Sequence, residues 1–149
     1  MEEPWWRNFL RVHEIPWVKD HEITGQLIYP GTAYLVVAIE AAKTLVHPTP
    51  TVSGFRLRDV GFKAVLRNSE TTEGVETMVA LRRKPEFANR ESSYSTSSVW
   101  FEFKISSYQT RSESWMEHCT DLVAVEYGSN KNNTIVMDDP SVKFRGSQK

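Results

Sequence analysis

Histidine is the side chain best suited to proton transfer near neutral pH, because an ordinary pKa of about 6.5 lets it both take and return a proton. The sequence has four, His13, His21, His47 and His118. Only His21 stands among other residues of chemical use, in the run Asp20-His21-Glu22-Ile23-Thr24-Gly25-Gln26-Leu27-Ile28-Tyr29-Pro30-Gly31. Gly25 permits a ligand to come close to the backbone. Pro30 and Gly31 fix a turn into a helix whose first N–H groups lack partners and can receive an oxygen bearing negative charge. A base beside such donors outlines an oxyanion site.

The helix that would supply those donors spans Thr32 to Val46, TAYLVVAIEAAKTLV. These are good helix formers, apolar around nearly the whole circumference except at Glu40 and Lys43, which predicts an enclosed helix. Thr32 is the expected N-cap, and His47-Pro48 the stop, since proline disfavours helical geometry in the residue before it. Ahead of it, residues 9–15 (FLRVHEI) read as a short strand that Pro16, with no N–H to donate, interrupts. After the helix the period changes to two, and residues 52–66, 75–81, 98–105 and 114–127 read as strands. In the third, Val99, Phe101, Phe103 and Ile105 face one way and Trp100, Glu102 and Lys104 the other. One helix followed by strands with no crossover helices between them is incompatible with a parallel βαβ array. It predicts an α+β fold, an antiparallel sheet wrapped on one helix, over residues 1–127. Residues 85–97 are polar and serine-rich and read as a loop. Residues 128–149 carry almost no apolar periodicity and read as a polar linker or tail.

The 149 residues suit about one domain, and 40% apolar content is enough to build a core. Lysine plus arginine number 18 against 19 acids, a net charge of −1 that supplies no field for nucleic acid or an anionic membrane. Cys119 is the sole cysteine, which excludes an internal disulfide framework and any CxxC motif and suits a reducing, cytoplasmic setting. The start, MEEPWWRNFL, is unlike a signal peptide. The longest nearly apolar run, residues 33–42, is broken by Glu40 and is well short of the roughly 20 residues that span a bilayer.

The spacing H21-x-x-x-G25-x-x-x-x-P30, preceded by PWW and W17-V-K-D-H and followed by GTAYLVVAIEAA, resembles the HxxxGxxxxP signature of polyketide synthase dehydratase domains, especially the fungal, iterative, highly reducing type. The resemblance covers most of residues 4–127, including W115-M-E-H118-C119-T. It implies a hotdog fold, a long central helix wrapped by a curved antiparallel sheet. In that family two hotdogs in one chain make the catalytic domain, so this chain would be the first half, with residues 128–149 leading towards the second. The implied reaction is loss of water from a β-hydroxyacyl thioester carried by the phosphopantetheine of acyl carrier protein, with no other cofactor. His21 would remove the α-proton, the Gly25 N–H would bind the thioester carbonyl, Pro30 would hold the loop and Gly31 would open the helix at the substrate. The acid that protonates the departing hydroxyl belongs, in the family, to the second hotdog.

Asp138 and Asp139 are not candidates for that acid, since Pro140 makes a buried helix there implausible. Glu40 is a weaker candidate, because the corresponding place of single-hotdog dehydratases falls nearer Val36, one turn earlier. His13, His47 and His118 read as core or surface histidines, and no spacing suggests a metal site. Trp5, Trp6 and Trp17 read as packing residues, and Arg82-Arg83-Lys84, at the end of a strand, as a solvated turn, with contact to an acidic carrier protein as the alternative. Two other functions stay open: a product-template hotdog that directs cyclisation in non-reducing synthases, and a non-catalytic hotdog that binds acyl chains or scaffolds an assembly. A half domain leaves apolar surface bare, so a homodimer or an aggregation-prone monomer is expected.

Overall fold

Residues 3–46, 51–85, 97–127 and 134–137 are described by the computed structural model. Their elements are β1 (Trp5–Leu10), a 3-10 turn (Pro16–Asp20), β2 (Glu22–Ile23), β3 (Gln26–Leu27), α1 (Gly31–Leu45), β4 (Val52–Phe62), β5 (Val75–Arg83), β6 (Ser97–Gln109), β7 (Ser114–Tyr127) and β8 (Thr134–Met137). The long strands form one sheet in the order β1-β5-β6-β7-β4-β8, antiparallel except where β8 runs parallel to β4. β2 and β3 make a separate small hairpin.

Period-two alternation decides which face of the sheet is dry. Phe101, Phe103 and Ile105 of β6 stand opposite Val123, Asp121 and Cys119 of β7, and all of these are buried. Against this face lies α1, next to β7 with β4 and β6 beside it. Its Tyr34, Ala38, Ile39 and Ala42 form a stripe at helical spacing that enters the core. The architecture is the expected α+β arrangement of one helix on a wrapped antiparallel sheet.

Several boundaries differ from the sequence reading. The first strand is Trp5–Leu10 rather than residues 9–15, because the Arg11 carbonyl takes the N–H groups of both Glu14 (3.0 Å) and Ile15 (3.1 Å) and turns the chain there. The strand read over 52–66 ends at Phe62, where Lys63 N donates to His118 O, while the strands read over 75–81 and 98–105 run on to Arg83 and Gln109. Arg82 and Arg83 are therefore strand residues and not a turn. Arg82 pairs with Glu3 (3.3 Å) and Lys84 with Glu102 (3.2 Å). Thr32 is not the N-cap: the helix begins at Gly31, and Pro30 holds the cap with φ −69° and ψ 142°, a geometry its ring favours. Nor is α1 enclosed all round. One sheet covers one stripe, and Val36 is 58% exposed on the other side.

Trp100 lies on the face away from the helix yet is buried, packing with Leu122 and Ala124 as a second small apolar cluster. In the region read as a tail, Thr134–Met137 form strand β8 on the edge of β4, with Gly54 opposite Thr134 and Leu57 opposite Met137. His47, Pro48, the serine-rich residues 86–96, Asp138, Asp139 and Pro140 lie outside the described residues.

Candidate active site

The loop carrying His21 is built from short-range constraints. Val18, fully buried, anchors the 3-10 turn, and Val18 O accepts the N–H of His21 at 3.1 Å. The chain then makes the β2–β3 hairpin, with Glu22 opposite Leu27 and Ile23 opposite Gln26. Its two central residues, Thr24 (φ 50°) and Gly25 (φ 77°), are both left-handed, the requirement of the two-residue turn that matches strand twist. Nothing lies within 4 Å of the place a Cβ would take on Gly25, so glycine is needed there for its backbone angle and not for space. Gly25→Ala is expected to lower stability by about 1–2 kcal/mol, the left-handed penalty alone, measured as a shift of the urea midpoint. A markedly larger loss would reveal a packing role for the turn.

Closure of the hairpin brings His21 and Ile28 together twice. Ile28 N donates to His21 O (3.1 Å), and His21 Nδ1 lies 2.7 Å from Ile28 O. A carbonyl oxygen only accepts, so Nδ1 carries the hydrogen, and in the neutral ring Nε2 is left with its lone pair. That is the form a general base needs. The ring is partly buried, neither enclosed among core residues nor fully in water.

Pro30 and Gly31 lie where the hairpin runs into α1. A Cβ on Gly31 would sit 3.0 Å from the Phe62 ring, so this glycine also lets the helix start press against β4. An aromatic row runs inward from the loop, with ring centroids 5.9 Å apart for Trp17 and Tyr29, 5.2 Å for Tyr29 and Tyr34, and 6.1 Å for Tyr34 and Phe62. Burial pushes the Tyr29 and Tyr34 phenols up from their ordinary range, so both are uncharged.

The remaining candidates are dispersed. Glu40 is exposed and bonds Lys43 at 3.3 Å, and Val36 is exposed one turn earlier. His13 is exposed beside Glu14. His118 is a buried core histidine, bonded to Ser107 and to the Ala64 carbonyl. Cys119 is buried, and its thiol is pushed up to about 12, chiefly by burial and then by Asp121, which leaves it unreactive. Trp6 packs against the core, while Trp5 is 61% exposed. Among the described residues no three His, Cys, Asp or Glu side chains converge as metal ligands, and no helix is long and apolar enough to cross a membrane. Two surface grooves lie elsewhere. One, of about 440 Å³, is edged by Lys63, Lys104 and Glu117; the other, of about 400 Å³, by Trp5, Tyr108 and Trp115. Neither is lined by His21.

Sequence reasoning missed the partner that fixes the His21 ring, since a backbone carbonyl leaves no mark in residue type. The clue available was the two-residue turn, whose closure sets residue 28 against residue 21.

Residues 1–98 match the family model described as polyketide synthase dehydratase domain. The chain is 40% identical over 129 residues to the highly reducing polyketide synthase tazB of Aspergillus terreus, covering 87% of this chain and 5% of that protein. It is 41% identical over 126 residues to the highly reducing polyketide synthase tstA of Talaromyces stipitatus, covering 83% and 5%. The chain thus spans about a twentieth of the length of these relatives. In fold it is similar to the dehydratase domain from the CurF module of the curacin polyketide synthase (TM-score 0.67, 20% identity, 87% of this chain and 40% of that one). A dehydratase domain of a trans-AT polyketide synthase from Brevibacillus brevis matches equally well (TM-score 0.67, 16% identity, 85% and 42%).

Proposed function

Because the chain belongs to the family of polyketide synthase dehydratase domains, whose hotdog fold it shares, we propose that it supplies the base-bearing half of a dehydratase site. The observation that carries this reading is the 2.7 Å bond from His21 Nδ1 to Ile28 O, which leaves Nε2 free to accept a proton. The substrate is a β-hydroxyacyl thioester tethered through phosphopantetheine to acyl carrier protein. Nε2 takes the α-proton, the electron pair forms the new carbon–carbon double bond, and the β-hydroxyl departs as water with a proton from a second group. Charge that gathers on the thioester oxygen is received by the Gly25 N–H and the unpaired N–H groups at the Pro30-Gly31 helix start. No electrons leave the substrate, so the step needs no redox cofactor.

The second group comes from the other hotdog, which also closes the acyl tunnel over the exposed Val36 side of α1. Glu40, turned to solvent and paired with Lys43, does not serve. The chain by itself is therefore inactive or feeble, because losing one member of a catalytic pair costs orders of magnitude. Its bare apolar residues favour association, a homodimer when no second hotdog is supplied. A cytoplasmic setting suits the lone free thiol of Cys119.

The reading is tested by offering a β-hydroxyacyl carrier-protein thioester to the chain alone and to the chain supplied with a second dehydratase half, and following loss of water by mass. Product from the pair and little from the chain alone is the expected result. Acyl-thioester binding with no change of mass in either mixture would make the chain a binding module.

A further inference from the structure

His21 owes its tautomer to Ile28 O, so whatever holds residue 28 in place also holds the base. Residues 27–29 are not part of the main sheet. They are held by the segment that follows β4: Tyr29 N donates to Leu66 O (2.9 Å), Asn68 N to Leu27 O (2.8 Å), and Ile28 faces Arg67 as an antiparallel bridge. That segment has exposed side chains at Lys63, Val65 and Arg67. Its inward ties are the Leu66 side chain, buried in the core, and residue 118 on β7, whose O accepts Lys63 N (2.8 Å) and whose Nδ1 bonds Ala64 O (3.0 Å).

The direction of each bond in this tie can be assigned. Ala64 O only accepts, so His118 carries its hydrogen on Nδ1, and Nε2 accepts from Ser107 Oγ at 2.6 Å. The Ser107 oxygen in turn receives a hydrogen from Gln109 Nε2 at 2.8 Å. Burial favours the neutral His118 ring, with its pKa below the ordinary imidazole range, and in the neutral ring Nδ1 donates to Ala64 O while Nε2 accepts from Ser107. The bonds form one continuous ladder, from Gln109 and Ser107 through His118 to Ala64, along Leu66–Asn68, across to Leu27–Tyr29 and finally to His21.

We infer that His118 is a positioning residue for His21: through the Ala64 carbonyl it holds residues 63–68 against residues 27–29 and so keeps the His21 proton on Nδ1. The inference rests on the reading of His21 as the base only for its catalytic consequence, since the tautomer is observable without any reaction. A loose strip would let Ile28 O drift, and misplacement of a catalytic group by about 1 Å costs on the order of 100-fold in rate.

The test is long-range proton–nitrogen NMR of the chain with ¹⁵N-labelled histidine, above the range where imidazoles are charged. The unmodified chain is expected to show His21 as a single form protonated on Nδ1. His118→Leu, which removes both ring bonds, should abolish that single form. His118→Asn, whose amide can still donate to Ala64 O, should restore it. In the mixture with a second half, His118→Leu should lower kcat about 10- to 100-fold with KM little changed. Should the Leu variant not fold, Ser107→Ala, which removes the donor to Nε2, is expected to produce a smaller change in the same His21 signal. A folded His118→Leu with an unaltered His21 spectrum would overturn the inference, as would an unaltered spectrum in Ser107→Ala if the Leu variant does not fold. Turnover that survives His21→Ala would refute the base, and would leave the spectral test of His118 standing.

Discussion

His21→Ala is expected to lower water loss by the reconstituted dehydratase about 10²- to 10⁴-fold, the span usually lost with a positioned general base. The drop should fall on kcat, because the variant removes a group that acts in the transition state and leaves the backbone donors at Gly25 and the start of α1 unchanged. His21 is only partly buried, and its backbone bonds to Val18 and Ile28 do not need the ring. Thermal unfolding of the variant should accordingly stay close to that of the parent, which separates a lost proton acceptor from a collapsed loop. Unchanged turnover in a folded His21→Ala would sink the assignment. A glutamine at position 21 is a sharper control: it fills much of the space and can hydrogen-bond but cannot take the proton, so it should be as inactive as alanine.

Asp121→Asn is expected to become progressively more stable than the parent chain as pH rises. Asp121 is 2% exposed on the inner face of β7, opposite Phe103 and two residues from Cys119, and neither carboxylate oxygen has a hydrogen-bond partner. The charged groups on adjoining elements turn away: Glu40 and Lys43 of α1 reach solvent, Lys104 and Glu102 of β6 lie on the opposite face, and Asp59 of β4 is exposed. With nothing among the described residues to compensate the charge, burial pushes the carboxyl up to about 8. An aspartate in the unfolded chain titrates near 3.9. Between those two values the folded chain keeps a proton that the unfolded chain has lost, so stability falls as pH rises through the window and levels off above it. The slope is at most about 1.4 kcal/mol per pH unit, and over the window the difference between the two chains should reach several kcal/mol. Urea unfolding of both at about pH 5 and about pH 8 measures it. Two chains whose stabilities change in parallel would mean that the carboxyl is solvated or paired.

The strands were most legible where alternation and burial agree. β7 runs over the residues read from sequence, 114–127, and the Val99-Phe101-Phe103-Ile105 face of β6 is the face that packs. FLRVHEI misled because alternation of residue type carries no information about turn bonds, and Arg11 O collects two of them. Thr32 misled because a good N-capping side chain two residues late loses to a proline already in extended geometry. The prediction of an enclosed helix misled because apolar composition on all sides says only that a helix needs cover, and the described residues leave Val36 exposed. At the candidate site, His21 and Gly25 could be singled out from sequence because proton chemistry and backbone freedom are properties of residue type. Ile28 O and the Leu66–Asn68 strip were not, since their contribution is made by the main chain. His118 was read only as a core or surface histidine, and its route to the loop required the pairing of residues 41 or more positions apart in the chain, Leu27 with Asn68 and Ala64 with His118.

The two-residue turn at Thr24-Gly25 makes the interval between the histidine and the glycine a metric quantity. A hairpin this tight has one permitted length, and adding or deleting a single residue between positions 22 and 27 would swing the following main chain to the other side. Ile28 would then present its amide hydrogen or its side chain where its oxygen now stands, and the imidazole would lose the one neighbour that tells it which nitrogen to keep bare. Substitutions in this stretch can be absorbed, whereas a change in its length would disarm it even with every reactive residue still present.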